Sequence, residues 1–241
     1  MKLLAIDTST DACSAAVWQD GGIVAEYEVS PRAHTRLILP MVEQVLTRSG
    51  TTLKALDGLA FGRGPGAFSG VRIAAGVAQG LALAADLPLI PVSTLAALAR
   101  QVHQHHGAEK VLVAMDARMG EVYWGAFVIR DGLPEGRGAE VVTAPEAVPW
   151  PEGMRDGSAP IFSDWVAVGS GWREYPQLLQ KFPQLDAVYP DRLPRAEDLL
   201  PLARSALLRN ESVDVAVGIP VYLRNKVAET TLEREQRSRL P

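Results

Sequence analysis

The chain has 241 residues, 47% of them hydrophobic and 22% charged, and a formal net charge of −4. This length and apolar content suffice for one large domain or two small ones with cores of their own. The negative charge argues against strong nucleic-acid binding by the chain alone, because Lys and Arg contacts to phosphate dominate that affinity. The single cysteine, Cys13, excludes an intrachain disulfide and suits a reducing compartment.

The sequence predicts a cytoplasmic protein. Asp7 interrupts the first apolar run too early for a secretion signal. We expect no membrane span, because Arg72 and Gln79 interrupt the segment that comes nearest to one, residues 70–85.

The first 106 residues predict an α/β unit that opens with three antiparallel strands. The turn Asp20-Gly21-Gly22 is a strong hairpin signal. The predicted strands are 3–6, 13–19, 23–29, 56–61 and 87–92. The predicted helices are about 34–46, 69–85 and 94–106. Pro40 requires the first of these helices to kink or to begin later, and Ser93 is a good N-cap for the third.

The second half partly repeats the first. Residues 111–115 form an apolar run that ends in Asp116, as residues 3–6 end in Asp7. Further strands are predicted at 122–130 and 165–168, and helices at 172–181 and 196–208. We therefore divide the chain into an N-terminal α/β domain (1–107), a smaller C-terminal α/β domain (108–220), and an extended segment with a charged tail (221–241). Helix 196–208 can pack back on the first domain.

The turn from Asp7 to Ser9 follows the first strand and permits two interpretations. Its backbone N–H groups and hydroxyls can cradle a phosphate, with Asp7 orienting a metal-bound water. Alternatively, the Asp and Thr side chains satisfy their own backbone. Residue types alone favour the second interpretation.

The segment from Gly62 to Arg72, called the glycine segment below, contains four glycines and a proline in eleven residues. Such a composition predicts a turn between strand and helix rather than the interior of either. A turn of this kind can hold an anion or another backbone at close range. It lacks the Lys of a P-loop and the spacing of a dinucleotide fingerprint. We therefore expect a structural role, aiming the following helix at a partner, with anion binding as the lesser alternative.

The predicted helices 34–46 and 69–85 are expected to form an interface for a partner. Gly76 and Gly80 share one face of a nearly bare helix and permit close approach of another backbone. Two such helices can pair with two from another subunit, although packing on the chain's own sheet is the alternative. The predicted interface residues are Leu37, Ile38, Met41, Val45, Ile73, Gly76, Val77, Gly80 and Leu81.

Catalytic and metal sites are not predicted. His103, His105 and His106 lie at a helix end with no cysteine nearby. No order of Ser, His and Asp stands out, and the Gly-x-Ser-x-Gly elbow is missing around Ser170.

Five separated motifs give the chain a recognisable pattern. They are Ala5–Ser9, Gly64–Arg72, Met115–Arg118, Glu121–Tyr123 and Pro220–Arg224. Together they resemble the TsaB (YeaZ) family of bacterial tRNA threonylcarbamoyladenosine biosynthesis proteins, over about residues 1–228. The Gly-Pro-Gly segment and the Tyr-Leu-Arg ending are specific, whereas the Asp-Thr-Ser turn alone is not.

The resemblance implies an actin-like, sugar-kinase-like (ASKHA) α/β fold of two similar domains with mixed sheets. It also implies a non-catalytic scaffold for the paralogue TsaD, which binds metal through two helix-borne histidines four residues apart. Here Ile38 stands four positions after His34, so no metal and no cofactor are expected. Asp7 and Ser9 would be a vestigial nucleotide turn.

The implied partners are TsaD and the small ATPase TsaE, with tRNA reached only through the complex. A homodimer through the same helix face is implied for the chain alone, and no membrane contact. The alternatives are an ATP-binding enzyme of the actin-like group and a peptidase.

Overall fold

The computed structural model describes residues 1–153 and 162–224. The first of its two sheets is mixed, with strand order β3-β2-β1-β4-β5. Its strands are β1 (Lys2–Asp7), β2 (Ala12–Gln19), β3 (Gly22–Val29), β4 (Gly58–Gly64) and β5 (Leu89–Ser93). The first three strands are antiparallel to one another, whereas β4 runs parallel to β1 and to β5. The three predicted opening strands are confirmed.

The second sheet repeats this topology, with order β11-β10-β6-β7-β8. Its strands are β6 (Lys110–Asp116), β7 (Val122–Arg130), β8 (Leu133–Gly136), β9 (Val141–Thr143), β10 (Val166–Val168) and β11 (Ala187–Tyr189). Here β6 occupies the place of β1, antiparallel to β7 and parallel to β10. The predicted repetition of the two halves is therefore present in the strand order.

Six helices cover the sheets in the described parts of the chain. They are α1 (His34–Arg48), α2 (Phe68–Ala85), α3 (Thr94–His106), α4 (Gly171–Glu174), α5 (Gln177–Lys181) and α6 (Ala196–Leu208). Helix α1 starts at His34 and contains Pro40, which excludes the later start, one of the two alternatives considered. The predicted cap of α3 is confirmed, because Ser93 Oγ accepts a hydrogen bond from Ala96 N at 3.2 Å.

The core is layered. Helices α1 and α2 pack on one face of the first sheet, against Leu4, Ile6 and Phe61. Helix α6 packs on its other face through Leu199 and Leu200. Helix α3 contributes to the core of the second sheet and also contacts α6. Helices α3 and α6 therefore lie between the two sheets, while α4 and α5 cover the far face of the second sheet.

A buried polar contact joins these two middle helices. Gln101 Nε2 on α3 donates to Asp198 Oδ2 on α6 at 2.8 Å. Burial raises the pKa of Asp198 to about 7. The first sheet is joined to α6 as well, since Ala196 N donates to Ser14 Oγ at 2.9 Å. The predicted boundary at residue 107 stays a prediction.

Three predictions need correction. The helix expected at 172–181 is two short helices, because Tyr175 precedes Pro176 and leaves the helical region at φ −128° and ψ 87°. Gly62–Gly64 complete β4 rather than form a turn. Helix α2 is long and apolar enough to span a membrane by length and composition. In this fold it packs against the first sheet, and core helices of soluble proteins meet the same criterion. The charged tail expected after Val227 lies outside the described residues.

Candidate functional site

A cleft of about 430 Å³ lies where the two sheets meet. Parallel strands place their carboxyl ends at one edge of a sheet, so the residues after β1 and β4 converge, as do those after β6 and β10. All five motifs of the sequence pattern reach this region, and the lining residues include Ser9, Gly66, Asp116, Tyr123 and Arg224. The cleft is therefore the place where residues far apart in sequence meet.

The side chains of the turn from Asp7 to Ser9 are buried and hydrogen-bonded within the chain. Asp7, Thr8 and Ser9 are each 0% exposed. Asp7 Oδ1 accepts hydrogen bonds from Ser9 N at 2.9 Å and from Ser9 Oγ at 2.8 Å. Thr8 Oγ1 donates to the Gly70 carbonyl at 2.7 Å. Because these donors have partners within the chain, Asp7 and Ser9 are not arranged to hold a phosphate, which weighs against the vestigial nucleotide turn.

The glycine segment lies directly on this turn. A side chain at any of its three closest glycines would clash with this turn. A Cβ placed on Gly62 would lie 1.8 Å from Asp7 Oδ2. A Cβ on Gly66 would lie 2.4 Å from the Ser9 carbonyl oxygen, and a Cβ on Gly70 would lie 2.0 Å from the Thr8 carbonyl oxygen. Ala67 N also donates to the Ser9 carbonyl at 2.7 Å. Of the two roles considered for the segment, close approach to another backbone is the one that the geometry supports.

Burial makes Asp7 a weak carboxylic acid. It raises the pKa of Asp7 to about 6, although the two Ser9 hydrogen bonds and the nearby His34 lower it. Asp7 Oδ2 is buried without a hydrogen-bond partner in the described structure, and so is Thr94 Oγ1. The folded state therefore favours the protonated acid more than the unfolded chain does.

We expect Asp7→Asn to flatten the pH dependence of stability. A folded pKa raised from 3.8 to about 6 contributes stability at low pH that is lost as the pH rises through about 6. Between pH 5 and pH 7 this loss amounts to about 1 kcal/mol. Asparagine keeps an oxygen for both Ser9 donors but does not titrate. Urea unfolding of the wild-type and Asp7→Asn chains between pH 5 and pH 7 measures the free energy of unfolding of each. Equal pH dependence of the two free energies would contradict the expectation.

The corresponding turn of the second half stays open to the cleft. Asp116 Oδ1 accepts hydrogen bonds from Arg118 N and from the Tyr175 hydroxyl, both at 2.8 Å. Burial and this bond to Asp116 raise the pKa of Tyr175 to about 12. The Arg118 side chain pairs with Asp116 at 3.0 Å and is 84% exposed. The second turn thus presents charged groups to solvent, unlike the first.

A short segment near the end of the described chain closes one side of the cleft. We call residues 220–224 the C-terminal strap. Val221 N donates to the Arg63 carbonyl at 2.8 Å. Arg224 Nε donates to Glu121 Oε2 at 3.0 Å, and Arg224 Nη2 to the Ala117 carbonyl at 3.0 Å. The strap therefore connects the strand that precedes α2 with the turn after β6.

Glu140 is a second connection between the halves that the sequence analysis missed. It accepts a hydrogen bond from Ser93 Oγ and pairs with Arg63 Nη2 at 3.3 Å. An acid in a loop rich in Pro, Gly and charge gives no signal of such a contact.

The predicted partner face is only partly exposed. Ile38, Met41 and Val45 are 0%, 7% and 0% exposed and belong to the chain's own core. This burial weighs against direct contact of these three side chains with a partner. The others are half-buried or exposed, namely Leu37, Ile73, Gly76, Val77, Gly80 and Leu81.

The exposed part of this face is centred on two glycines. A Cβ placed on Gly76 or Gly80 would meet nothing within 4 Å. Leu39 and Leu83, which the sequence analysis missed, are 51% and 76% exposed. A partner backbone could therefore approach α2 closely at Gly76 and Gly80.

Two histidines, His34 and His103, each bond a backbone carbonyl of this chain. His34 lies in the core region and its Nε2 bonds the Thr10 carbonyl at 2.8 Å. Within residues 1–153 and 162–224 no group of three or more His, Cys, Asp or Glu side chains can hold a metal ion. The expected lack of a metal stays a prediction.

Comparisons with known proteins agree with this fold and site. The family model described as TsaD, tRNA N6-adenosine threonylcarbamoyltransferase, matches residues 6–232. The Escherichia coli tRNA threonylcarbamoyladenosine biosynthesis protein TsaB is 48% identical over 95% of this chain and 96% of its own length. The Haemophilus influenzae protein of the same name is 40% identical over 94% and 95%.

A solved structure is also similar. YeaZ from Pseudomonas aeruginosa is 45% identical, with a TM-score of 0.82 over 92% of this chain and 99% of that one. The predicted α/β class with mixed sheets and the resemblance read from the five motifs are confirmed. The chain belongs to the TsaB (YeaZ) family of tRNA threonylcarbamoyladenosine biosynthesis proteins, and its sequence fits the wider TsaD family.

Proposed function

We propose that this chain serves tRNA threonylcarbamoyladenosine biosynthesis as a non-catalytic subunit that binds and activates the transferase TsaD. The exposed stripe of α2 carries the proposal. Gly76 and Gly80 leave room for another backbone, and no element of the described chain covers them. An apolar helix with bare exposed positions suits helix–helix association.

The buried turn supports the non-catalytic part of the proposal. Actin-like enzymes need a turn that is free to receive phosphate, whereas Asp7, Thr8 and Ser9 are buried beneath the glycine segment. His34 is engaged with the Thr10 carbonyl, and Ile38 occupies the position where a second helical ligand would stand.

The proposal also includes the other partners, and the homodimer uses the same face of α2. The ATPase TsaE joins the assembly, tRNA is reached through the complex, and the chain alone forms a homodimer by the face that TsaD would otherwise cover. The net charge of −4 supports tRNA binding through a partner rather than by this chain. The site of action is the cytoplasm.

A nucleotide-binding enzyme is the second candidate, because the cleft beside Asp116 and Arg118 is open. Calorimetric titration with Mg-ATP separates the two functions. Tight binding with hydrolysis by the isolated chain would favour the enzyme.

We expect reconstituted tRNA modification to require this chain. The mixture contains TsaD, TsaE, tRNA and the synthase that supplies the threonylcarbamoyl adenylate. Omitting the chain should leave the tRNA unmodified, because TsaD lacks its activating partner, and adding it back should restore the product measured by mass spectrometry of nucleosides. Heat-denatured chain is the control. Full modification without the chain would contradict the scaffold function.

A further inference from the structure

Two aromatic rings and one arginine stand together at the N-terminal end of α2. Phe68 is 58% exposed and Tyr222 is 47% exposed, with ring centroids 6.4 Å apart. The guanidinium carbon of Arg72 lies 3.3 Å from the Phe68 centroid and 4.8 Å from that of Tyr222. We call these three residues the aromatic–arginine cluster. Large aromatic side chains exposed together are unusual unless another molecule covers them.

The cluster is held in place from two sides. Phe68 and Arg72 are one turn apart on α2, and Arg72 Nη1 donates to the Phe68 carbonyl at 3.1 Å. Tyr222 belongs to the C-terminal strap, which Val221 and Arg224 fix to both halves of the chain. Side chains that are already ordered lose little conformational entropy when a partner binds.

Arg72 offers a charge that the described chain does not neutralise. Within residues 1–153 and 162–224 no carboxylate lies within ion-pair distance of it, whereas Arg63 and Arg224 each pair with a glutamate. A guanidinium stacked on aromatic rings keeps its outer N–H groups free for a carboxylate. Arg72 is therefore available to an anionic group of a partner.

The surface beside the cluster is apolar. The exposed stripe of α2 continues from Arg72 to Gly76 and Gly80 at steps of four residues. The turn at Val215–Val217 packs along α2, with Gln79 Nε2 donating to the Val215 carbonyl at 3.1 Å. Val217 and Ile219 are 61% and 60% exposed.

This setting fits a protein better than RNA. RNA binding draws its affinity from several unpaired cations, but here one arginine stands among apolar residues in a chain of net charge −4. Tyrosine and arginine flanked by apolar contacts are typical of protein-binding hot spots.

We propose that the aromatic–arginine cluster anchors the transferase subunit, which places a carboxylate side chain on Arg72 and an apolar side chain against Phe68 and Tyr222. The inference rests on the proposed function and extends its interface beyond Gly76 and Gly80 to the strap. The strap thereby serves the interface as well as the cleft.

Calorimetric titration of purified transferase into wild-type and variant chains, at low and at high salt, tests the anchor. Arg72→Met should weaken binding about 30-fold or more and reduce its salt dependence. Arg72→Glu should weaken it further, because two carboxylates then face each other, and Tyr222→Ala should also weaken it. Arg130→Met, which removes an exposed cation of the second sheet, should change affinity less than about twofold. Urea unfolding of every variant shows whether it is folded.

The outcomes distinguish failure of the anchor from failure of the proposed function. If the transferase binds the wild-type chain and binds the folded Arg72→Met and Tyr222→Ala chains with the same affinity, the anchor is overturned and the proposed function stays intact. No binding by the wild type would overturn both. Fluorescence anisotropy with labelled tRNA covers the remaining possibility. If Arg72→Met weakens tRNA binding but not transferase binding, the cluster serves RNA and the proposal is wrong.

Discussion

The double substitution Gly76→Leu and Gly80→Leu is expected to abolish binding of the transferase while the chain itself stays folded. Both glycines are exposed, and a side chain there would meet nothing of this protein within 4 Å. Leucine is also the better helix former, by somewhat under 1 kcal/mol at each position. In a helix–helix contact, however, each leucine would occupy the space of the partner backbone, at a cost of about 1–3 kcal/mol.

Each single change, Gly76→Leu or Gly80→Leu, should therefore weaken binding about tenfold or more. Calorimetry with the transferase and sedimentation of the isolated chain measure the complex and the homodimer. Gln104→Leu is the matched control, because it places an exposed leucine on α3, away from the stripe. If the double variant binds the transferase as the wild type does, the partner does not use this stripe.

Gly70→Ala should destabilise the fold by about 3 kcal/mol or more. The added Cβ would lie 2.0 Å from the Thr8 carbonyl oxygen and 3.1 Å from its carbon. These are backbone atoms of a buried turn, so no rotation of a side chain can relieve the clash. The hydrogen bond from Thr8 Oγ1 to the Gly70 carbonyl would be strained as well.

The control for this variant lies in the same helix. Gly76→Ala adds an identical methyl group in open space and should stabilise the chain by up to about 1 kcal/mol. Urea denaturation of the two variants therefore gives effects of opposite sign. Similar effects would show that the clash is relieved by a shift of the backbone.

The parts of the fold that local chemistry determines were predictable from sequence. Asp20 and Gly21 adopt positive φ values of 52° and 84° at the first hairpin, as an Asp-Gly turn indicates. The cap at Ser93 and the extent of α6 follow equally from short-range rules. Alternation of apolar runs and turns likewise gave the strands of the first sheet.

Contacts between distant segments were not predictable. Gly62 and Gly64 extend β4 because they pair with Val92 and Ser93 of β5, which overrides the weak strand preference of glycine. Glu140 lies far along the chain from Ser93 and Arg63, so no spacing rule joins them. The burial of the Asp7–Ser9 turn likewise depends on a segment some sixty residues away.

Part of the predicted interface is buried within the chain for a related physical reason. Helical periodicity identifies the apolar side of α1, and Ile38, Met41 and Val45 lie on it. Periodicity does not show whether that side packs on the chain's own sheet or on a partner, and here it packs on the chain's own sheet. Gly76 and Gly80 were the clearest sequence signal for the outward side of α2, where a Cβ would meet nothing of this chain within 4 Å.

The position of α6 has a consequence for biosynthesis. This helix covers one face of the first sheet, yet its residues are made about a hundred positions after β5, the last strand of that sheet. On the ribosome, Leu3 and Ile90 would lack their apolar cover until residue 208 has left the exit tunnel. The N-terminal half therefore completes its folding only after α6 has emerged, and until then chaperones have an apolar surface to protect.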